Sequence, residues 1–252
     1  MITLPVSFCR NAVLACCVFL VVEFAAVRAV FGAAPAGGGK FVQPVVVVDN
    51  AKIKMVRWVL QPGEATPPQS CSLDHVEVVI RGARIQEAGT DGKNTEAIQK
   101  AGRAVFVPAE NGTMALANIG DTPYEMIWTD LKPQAGPATP VPNPPVISPQ
   151  TLARPVTSKV VPAQVLVDND RLKMERWTFQ PGECSPVHIH ALDHVYIVVR
   201  GSKIREITGE GKTNDDVQET GRAAFSRARG KVHSFGNIGD ATPYEMVSFE
   251  LK

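Results

Sequence analysis

QPGEATPPQSCSLDHV (residues 61–76) and QPGECSPVHIHALDHV (residues 180–195) are one segment written twice, 119 residues apart. The same offset relates Trp58 to Trp177, Gly82 to Gly201 and Asn118 to Asn237. It holds without a gap from Val46/Val165 to Asp121/Asp240, and after the single insertion of Ala241 the string TPYEM recurs at 122–126 and 242–246. A repeat of this length is a duplicated domain. The strings held in common carry what the fold needs, so function is expected where the copies differ.

Around these anchors both copies are built from short β-type runs: Val45 to Val48, Val56 to Leu60, Val76 to Ile80 and Ala104 to Val107, then Val165 to Val167, Val195 to Val199 and Met246 to Phe249. Turn signals such as Pro62-Gly63, Asp91-Gly92, Asn111-Gly112 and Pro181-Gly182 separate them. Many short strands at such spacing predict an all-β sandwich or barrel. Two segments, Thr95 to Lys100 and Asp215 to Glu219, are read as places where a short helix fits. Between the copies, residues 133–162 hold nine of the twenty prolines, an extended connector that either spans two packed barrels or tethers two free ones.

With 252 residues, 44% hydrophobic, and a formal charge of +1, the chain is large enough for two domains. It has no basic stripe of the kind that binds nucleic acid. Arg10 followed by the apolar run Ala12 to Val22 and small residues reads as a secretory leader over 1–36, cut after Ala29 or Ala36. Eleven apolar residues are too few to span a bilayer, which needs about 20. Location is thus expected to be periplasmic or secreted, with no membrane contact after cleavage. Cys9, Cys16 and Cys17 leave with the leader, and Cys71 and Cys184 are read as free thiols. The domain division is leader 1–36, first copy 41–132, connector 133–162 and second copy 163–252; homo-oligomerisation stays open.

Four of the five histidines, His188, His190, His194 and His233, fall in the second copy. Residues two apart in a strand share a face, so His188 and His190 can address one ion. His194 follows after a tight turn, and His233 must come from a distant strand. Neutral imidazole is a common ligand of zinc, copper, iron and nickel. The first copy has Gln69, Cys71 and Met114 where the second has His188, His190 and His233; only His75 is held in common, at the place of His194. Cys71, Met114 and His75 would suit a soft ion, but a degenerate site is the reading preferred for that copy.

These residues resemble the cupin family, and the duplication resembles its two-domain members, the bicupins. The family's first motif runs Gly, five residues, His-x-His, three or four residues, Glu, six residues, Gly. Gly182, His188, His190 and Gly201 fit it, with His194 in place of the glutamate. Its second motif runs Gly, five residues, Pro-x-Gly, two residues, His, three residues, Asn. Gly221, Gly230, His233 and Asn237 fit that, without the proline and with one extra residue before Gly230. The resemblance implies two tandem jelly-roll β-barrels and one divalent transition metal, iron, manganese, nickel, copper or zinc, on His188, His190, His194 and His233.

Loss of the glutamate leaves such an ion its full +2 charge and favours anionic, oxygen-donor ligands. Four ligands on an octahedral ion leave two open positions, whereas on tetrahedral zinc they close the shell. Oxalate-degrading bicupins resemble this architecture, but their reaction is associated with the missing glutamate. A metal-dependent dioxygenase acting on a small enolic, diol or acidic molecule is therefore the leading expectation. A non-catalytic metal or small-ligand binding protein, or a metal-dependent isomerase or decarboxylase, are the alternatives. By parity with His194, Tyr196 is expected near the metal as a hydrogen-bond or proton donor, and Phe235 beside His233. Glu183, Asp193 and Glu245 recur in the first copy and are assigned to the fold; Arg227, Arg229 and Lys231 have no basic counterparts and are read as a solvated loop.

Overall fold

The computed structural model describes residues 40–89, 93–134, 159–228 and 230–252. The leader, the Asp91-Gly92 turn, most of the proline-rich connector and Arg229 lie outside them. Among the described residues there is no helix. The first copy contains β1 (Val45–Asp49), β2 (Ile53–Leu60), β3 (Gln69–Ser70), β4 (His75–Arg81), β5 (Ala83–Ala88), β6 (Asn94–Gln99), β7 (Ala104–Val107), β8 (Thr113–Asn118) and β9 (Tyr124–Leu131). The second contains β10 (Lys159–Val160), β11 (Gln164–Asp168), β12 (Leu172–Phe179), β13 (Glu183–Cys184), β14 (His188–Ile189), β15 (His194–Arg200), β16 (Ser202–Thr208), β17 (Thr213–Gln218), β18 (Ala223–Ser226), β19 (Val232–Asn237) and β20 (Tyr244–Leu251).

Each copy folds as two facing sheets, antiparallel except where Lys159–Val160 runs parallel to β13 and Phe41 bridges in parallel to Ala65. One sheet has the order β1-β2-β9-β4-β7 in the first copy and β11-β12-β20-β15-β18 in the second. The facing sheets are β3-β8-β5-β6 and β10-β13-β19-β16-β17, with β14 also on β19. The chain is thus all-β, two jelly-roll barrels from one duplication. Both segments read as short helices are strands: 94–99 pairs with β5 and 213–218 with β16. Each is an edge strand, and its pairing partner, not local propensity, sets its backbone.

The repeat begins earlier than Val46/Val165. Lys159 and Val160 pair with β13, as Phe41 bridges to Ala65 in the first copy, and Lys40 and Lys159 reach Glu64 and Glu183 alike. The last residues of 133–162 therefore belong to the second barrel's sheet.

The sheets containing β2 and β12 are buried on both faces, and strand parity decides which side chain goes where. In β2, Ile53 and Met55 face one way and Val56, Trp58 and Leu60 the other. In β4, Val76, Val78 and Ile80 oppose His75, Glu77 and Val79. The first of each set joins Leu172, Met174, Val195, Ile197, Val247 and Phe249 in a single core shared by the two copies. The second of each set faces its own barrel's interior. Each such aliphatic side chain contributes about 1.5–3 kcal/mol on burial, so the barrels stand as one unit.

Reciprocal polar contacts frame the shared core. Arg57 donates to the Gly221 carbonyl and contacts Glu125, while its counterpart Arg176 donates to the Gly102 carbonyl and contacts Glu245. Inside each barrel Asn118 and Asn237, both fully buried, bind the closing loop: Asn237 Nδ2 donates to the Phe179 and Thr242 carbonyls, and Oδ1 accepts from the Gly239 amide.

Gly102 has φ of +84°, and a Cβ there would lie 2.9 Å from Glu245 Oε1, which Arg176 holds in place. Gly63 has φ of +81° with nothing within 4 Å. Gly63→Ala is therefore expected to lose about 1–2 kcal/mol from backbone strain alone, and Gly102→Ala measurably more, in urea unfolding. Equal losses would mean that the contact between copies yields freely.

Candidate metal centre

β14 is only two residues long, yet it sets the geometry. It pairs with β19 so that His188 lies directly opposite His233, with ring centroids 4.5 Å apart. His190, just past β14, places its ring 5.0 Å from His188 and 5.1 Å from His233. One ligand nitrogen from each of the three lies within 4.8 Å of the others.

Each of these rings is tethered through Nδ1. His188 Nδ1 contacts the Pro186 carbonyl at 2.9 Å, His190 Nδ1 contacts Glu250 Oε1 at 3.2 Å, and His233 Nδ1 contacts Glu206 Oε1 at 2.5 Å. The Nε2 atoms of His188 and His233 are buried without a partner. A tethered Nδ1–H opposite a bare Nε2 is the arrangement that fixes tautomer and aim in metal-bound histidines. Orphaned buried acceptors are otherwise costly, so this donor set fits a cation.

Burial, reinforced by repulsion from His233, pushes His188 down to about 3. Burial and His190 do the same to His194, also to about 3. Burial lowers His233 too, although the hydrogen bond to Glu206 opposes it. Glu206 is pulled down to about 2 by that hydrogen bond, burial opposing and Lys231 assisting. At neutral pH His188, His194 and His233 are uncharged and Glu206 is a carboxylate.

His194 is placed differently. It is the first residue of β15, and its ring stacks on His190 at 3.8 Å with 15° between planes. A metal sits near the plane of each imidazole that binds it, and two nearly parallel planes at that separation do not meet at a common ion. The structure thus gathers three of the four expected ligands and sets the fourth against the face of one of them.

The cluster opens onto a cavity of about 340 Å³. Tyr196 and Phe235 line it, as parity predicts, along with Glu206, Arg222, Arg227 and Lys231. Arg227 and Lys231 are exposed, as a solvated loop requires, and they also line the cavity, where Lys231 Nζ reaches Glu206 at 2.9 Å; Arg229 lies outside the described residues. Asp193 binds Lys52 of the first copy, Glu245 binds Arg176 within its own copy, and Glu183 caps its turn through the Gln180 amide. Cys71 and Cys184 are both buried and form no disulfide.

The first barrel has the same interior parity and a different filling. Ser248, a cavity residue in the second copy, is matched by Trp128, whose ring stacks on His75 at 3.8 Å and 11°. Cys71 and Met114 join Trp128, Trp58 and Leu116 in an apolar core. Glu77, at the place of Tyr196, is buried and bound by Arg103 at 2.6 Å. The His75, Cys71 and Met114 set is accounted for by packing.

Glu206, Glu250 and Ser248 are absent from the sequence-based expectations. Ser202 to Thr208 carries no strong apolar alternation, so its inward parity, shared by the buried Ile204 and Glu206, becomes visible only once the strand is placed.

No family model matches the sequence, and no curated protein matches it. Solved structures do. AerE from Microcystis aeruginosa aligns over 84% of this chain and 98% of its own, with 11% identity and a TM-score of 0.53. A cupin 2 conserved barrel domain protein from Leptotrichia buccalis aligns over 88% and 100%, with 12% identity and a TM-score of 0.50. Oxalate decarboxylase from Bacillus subtilis, a protein with Mn(II) centres, aligns over 80% and 69%, with 13% identity and a TM-score of 0.52. At such identities the likeness shows the fold alone: two tandem barrels of the cupin type.

Proposed function

We propose that the second barrel holds one divalent transition metal on His188, His190 and His233 and acts as a dioxygenase on a small enolic, diol or acidic molecule. The observation that carries this reading is the convergence, at a cavity, of three imidazoles tethered through Nδ1, two of them with bare buried Nε2 atoms. When bound, iron, manganese, nickel or copper would supply Lewis acidity and a route for electrons to dioxygen, with octahedral positions left open beside three protein ligands.

The chain's own residues supply the rest. Among the charges lining the cavity Arg222 pairs with Asp216 and Lys231 with Glu206, and Arg227 adds a positive charge that can attract an anionic oxygen donor. The Tyr196 hydroxyl can donate a hydrogen bond to a bound oxygen. Glu206 holds the His233 tautomer. The stacking of His194 on His190 speaks against a closed four-histidine zinc shell, and so against the purely structural alternative. A protein of this kind would work in the periplasm or outside the cell, in keeping with the leader-like pattern of residues 1–36.

Protein purified without nickel resin should contain about one such metal per chain by elemental analysis. The His188→Ala/His190→Ala variant should contain none, and unchanged metal in it would sink the assignment. Oxygen-electrode screens with small enols and acids then test the reaction class, the expected result being uptake that requires the loaded metal.

Single variants separate three ligands from four. His233→Ala is expected to lose bound metal, whereas His194→Ala should keep most of it. Equal loss in both would make His194 a ligand.

The metal-free protein should also be acid-sensitive in a defined window. His188 titrates at about 3 when folded against 6.5 ordinarily, and His194 behaves likewise. Above pH 6.5 neither state binds the extra proton and there is no penalty; between there and about pH 3 the unfolded chain takes it up and the folded chain does not. Each ring then costs about 1.4 kcal/mol per pH unit. The Tm of the metal-free protein should fall from pH 7 to pH 5, and less steeply in His188→Ala.

A further inference from the structure

Two ion pairs join the copies at equivalent places. Arg171 Nε contacts Asp74 Oδ2 at 2.7 Å, and Lys52 Nζ contacts Asp193 Oδ2 at 2.8 Å. Each cation occupies the turn between the first two long strands of its copy, with its backbone fixed in the same manner. Asn50 Oδ1 accepts from the Lys52 and Ile53 amides at 2.8 and 3.0 Å, and Asn169 Oδ1 from the Arg171 and Leu172 amides at the same distances. Each aspartate is also bound locally. Asp74 Oδ1 accepts from the Ala109 amide at 2.8 Å and Asp193 Oδ1 from the Ala228 amide at 2.6 Å. Their carbonyls accept from the Leu131 and Leu251 amides at 2.8 Å.

The two pairs are alike as contacts between barrels and differ in what their aspartates hold. Asp74 precedes His75, whose ring is locked against Trp128 in a filled interior. Asp193 lies in the turn from His190 to His194 and also anchors Ala228, the neighbour of the cavity residue Arg227. His190 is held otherwise by its 3.2 Å contact with Glu250 and by stacking on His194, the residue at the other end of the same turn, so the turn bears directly on the aim of that ring.

We propose that Lys52, on the first copy, is a positioning residue for the metal centre of the second: by binding Asp193 it fixes the 190–194 turn and the direction of His190. The proposal rests on the metal-binding reading above. The Asp193 side chain is only 15% exposed. Without the ammonium it is a largely buried carboxylate with a single backbone donor, and the turn gains by shifting to hydrate it. The barrel without the three-histidine cluster then has a defined task, to brace the barrel that has it.

The reciprocal pair supplies the control. Full-length protein stripped with a chelator is titrated with Co(II), and binding is followed by the visible absorption of the histidine-bound ion. Lys52→Met is expected to raise the Kd for Co(II) about tenfold, as loss of an outer support of a metal ligand does. Lys52→Arg, which installs the residue that does the same work at Arg171, should restore wild-type affinity. Arg171→Met breaks the matching contact, with a similar loss in urea unfolding, and should leave the Kd unchanged. Equal shifts in Lys52→Met and Arg171→Met, or no shift in Lys52→Met, would overturn the assignment. A wild-type protein that fails to bind Co(II) overturns the metal reading itself, and this one with it.

Discussion

Burial of the central sheet of each barrel on both faces is the constraint from which the rest follows. A strand has two faces, and in β2, β4 and β9 both are buried, one set of side chains entering the shared core and the other the barrel's own interior. A slip of one residue would exchange the two sets. Register is therefore held from both sides, and with it the inward direction of His75, Glu77 and Trp128 in one copy and of His194, Tyr196 and Ser248 in the other. The same constraint explains why the duplicated strings survive side by side: each copy is the wall against which its sibling folds.

Within that frame, the two interiors are alternative solutions to filling a barrel. In the first, Trp128, Met114 and Leu116 occupy the space, and the single histidine is satisfied by stacking and by Leu73 and Glu77. In the second, Ser248 and the histidines leave a cavity and three tethered rings. Burying the His188 and His233 Nε2 atoms without a partner is unfavourable. A bound cation is the chemistry that offsets this cost.

Support for the rings comes from every layer around them. Trp177 stacks on His188 at 5.3 Å, Glu206 reaches across from β16, and Glu250 arrives from β20. Lys52 acts from the other barrel through Asp193. Such convergence of separate strands on one cluster is what a closed barrel provides and a single sheet does not.

The duplication, the all-β class and the second copy as the place of the cluster were determined by the sequence itself, because a fixed offset and a period of two are properties of the chain that need no coordinates. Parity likewise placed Tyr196 and Phe235 in the cavity. What only the tertiary structure decided was the relation between residues far apart in the chain. That His194 stacks on His190, that Glu206 and Glu250 tether His233 and His190, that Trp128 fills what Ser248 leaves open, and that residues 94–99 and 213–218 are strands all depend on which strands lie side by side. Pairing and packing across a barrel are set by non-local contacts, and local sequence carries no direct record of them.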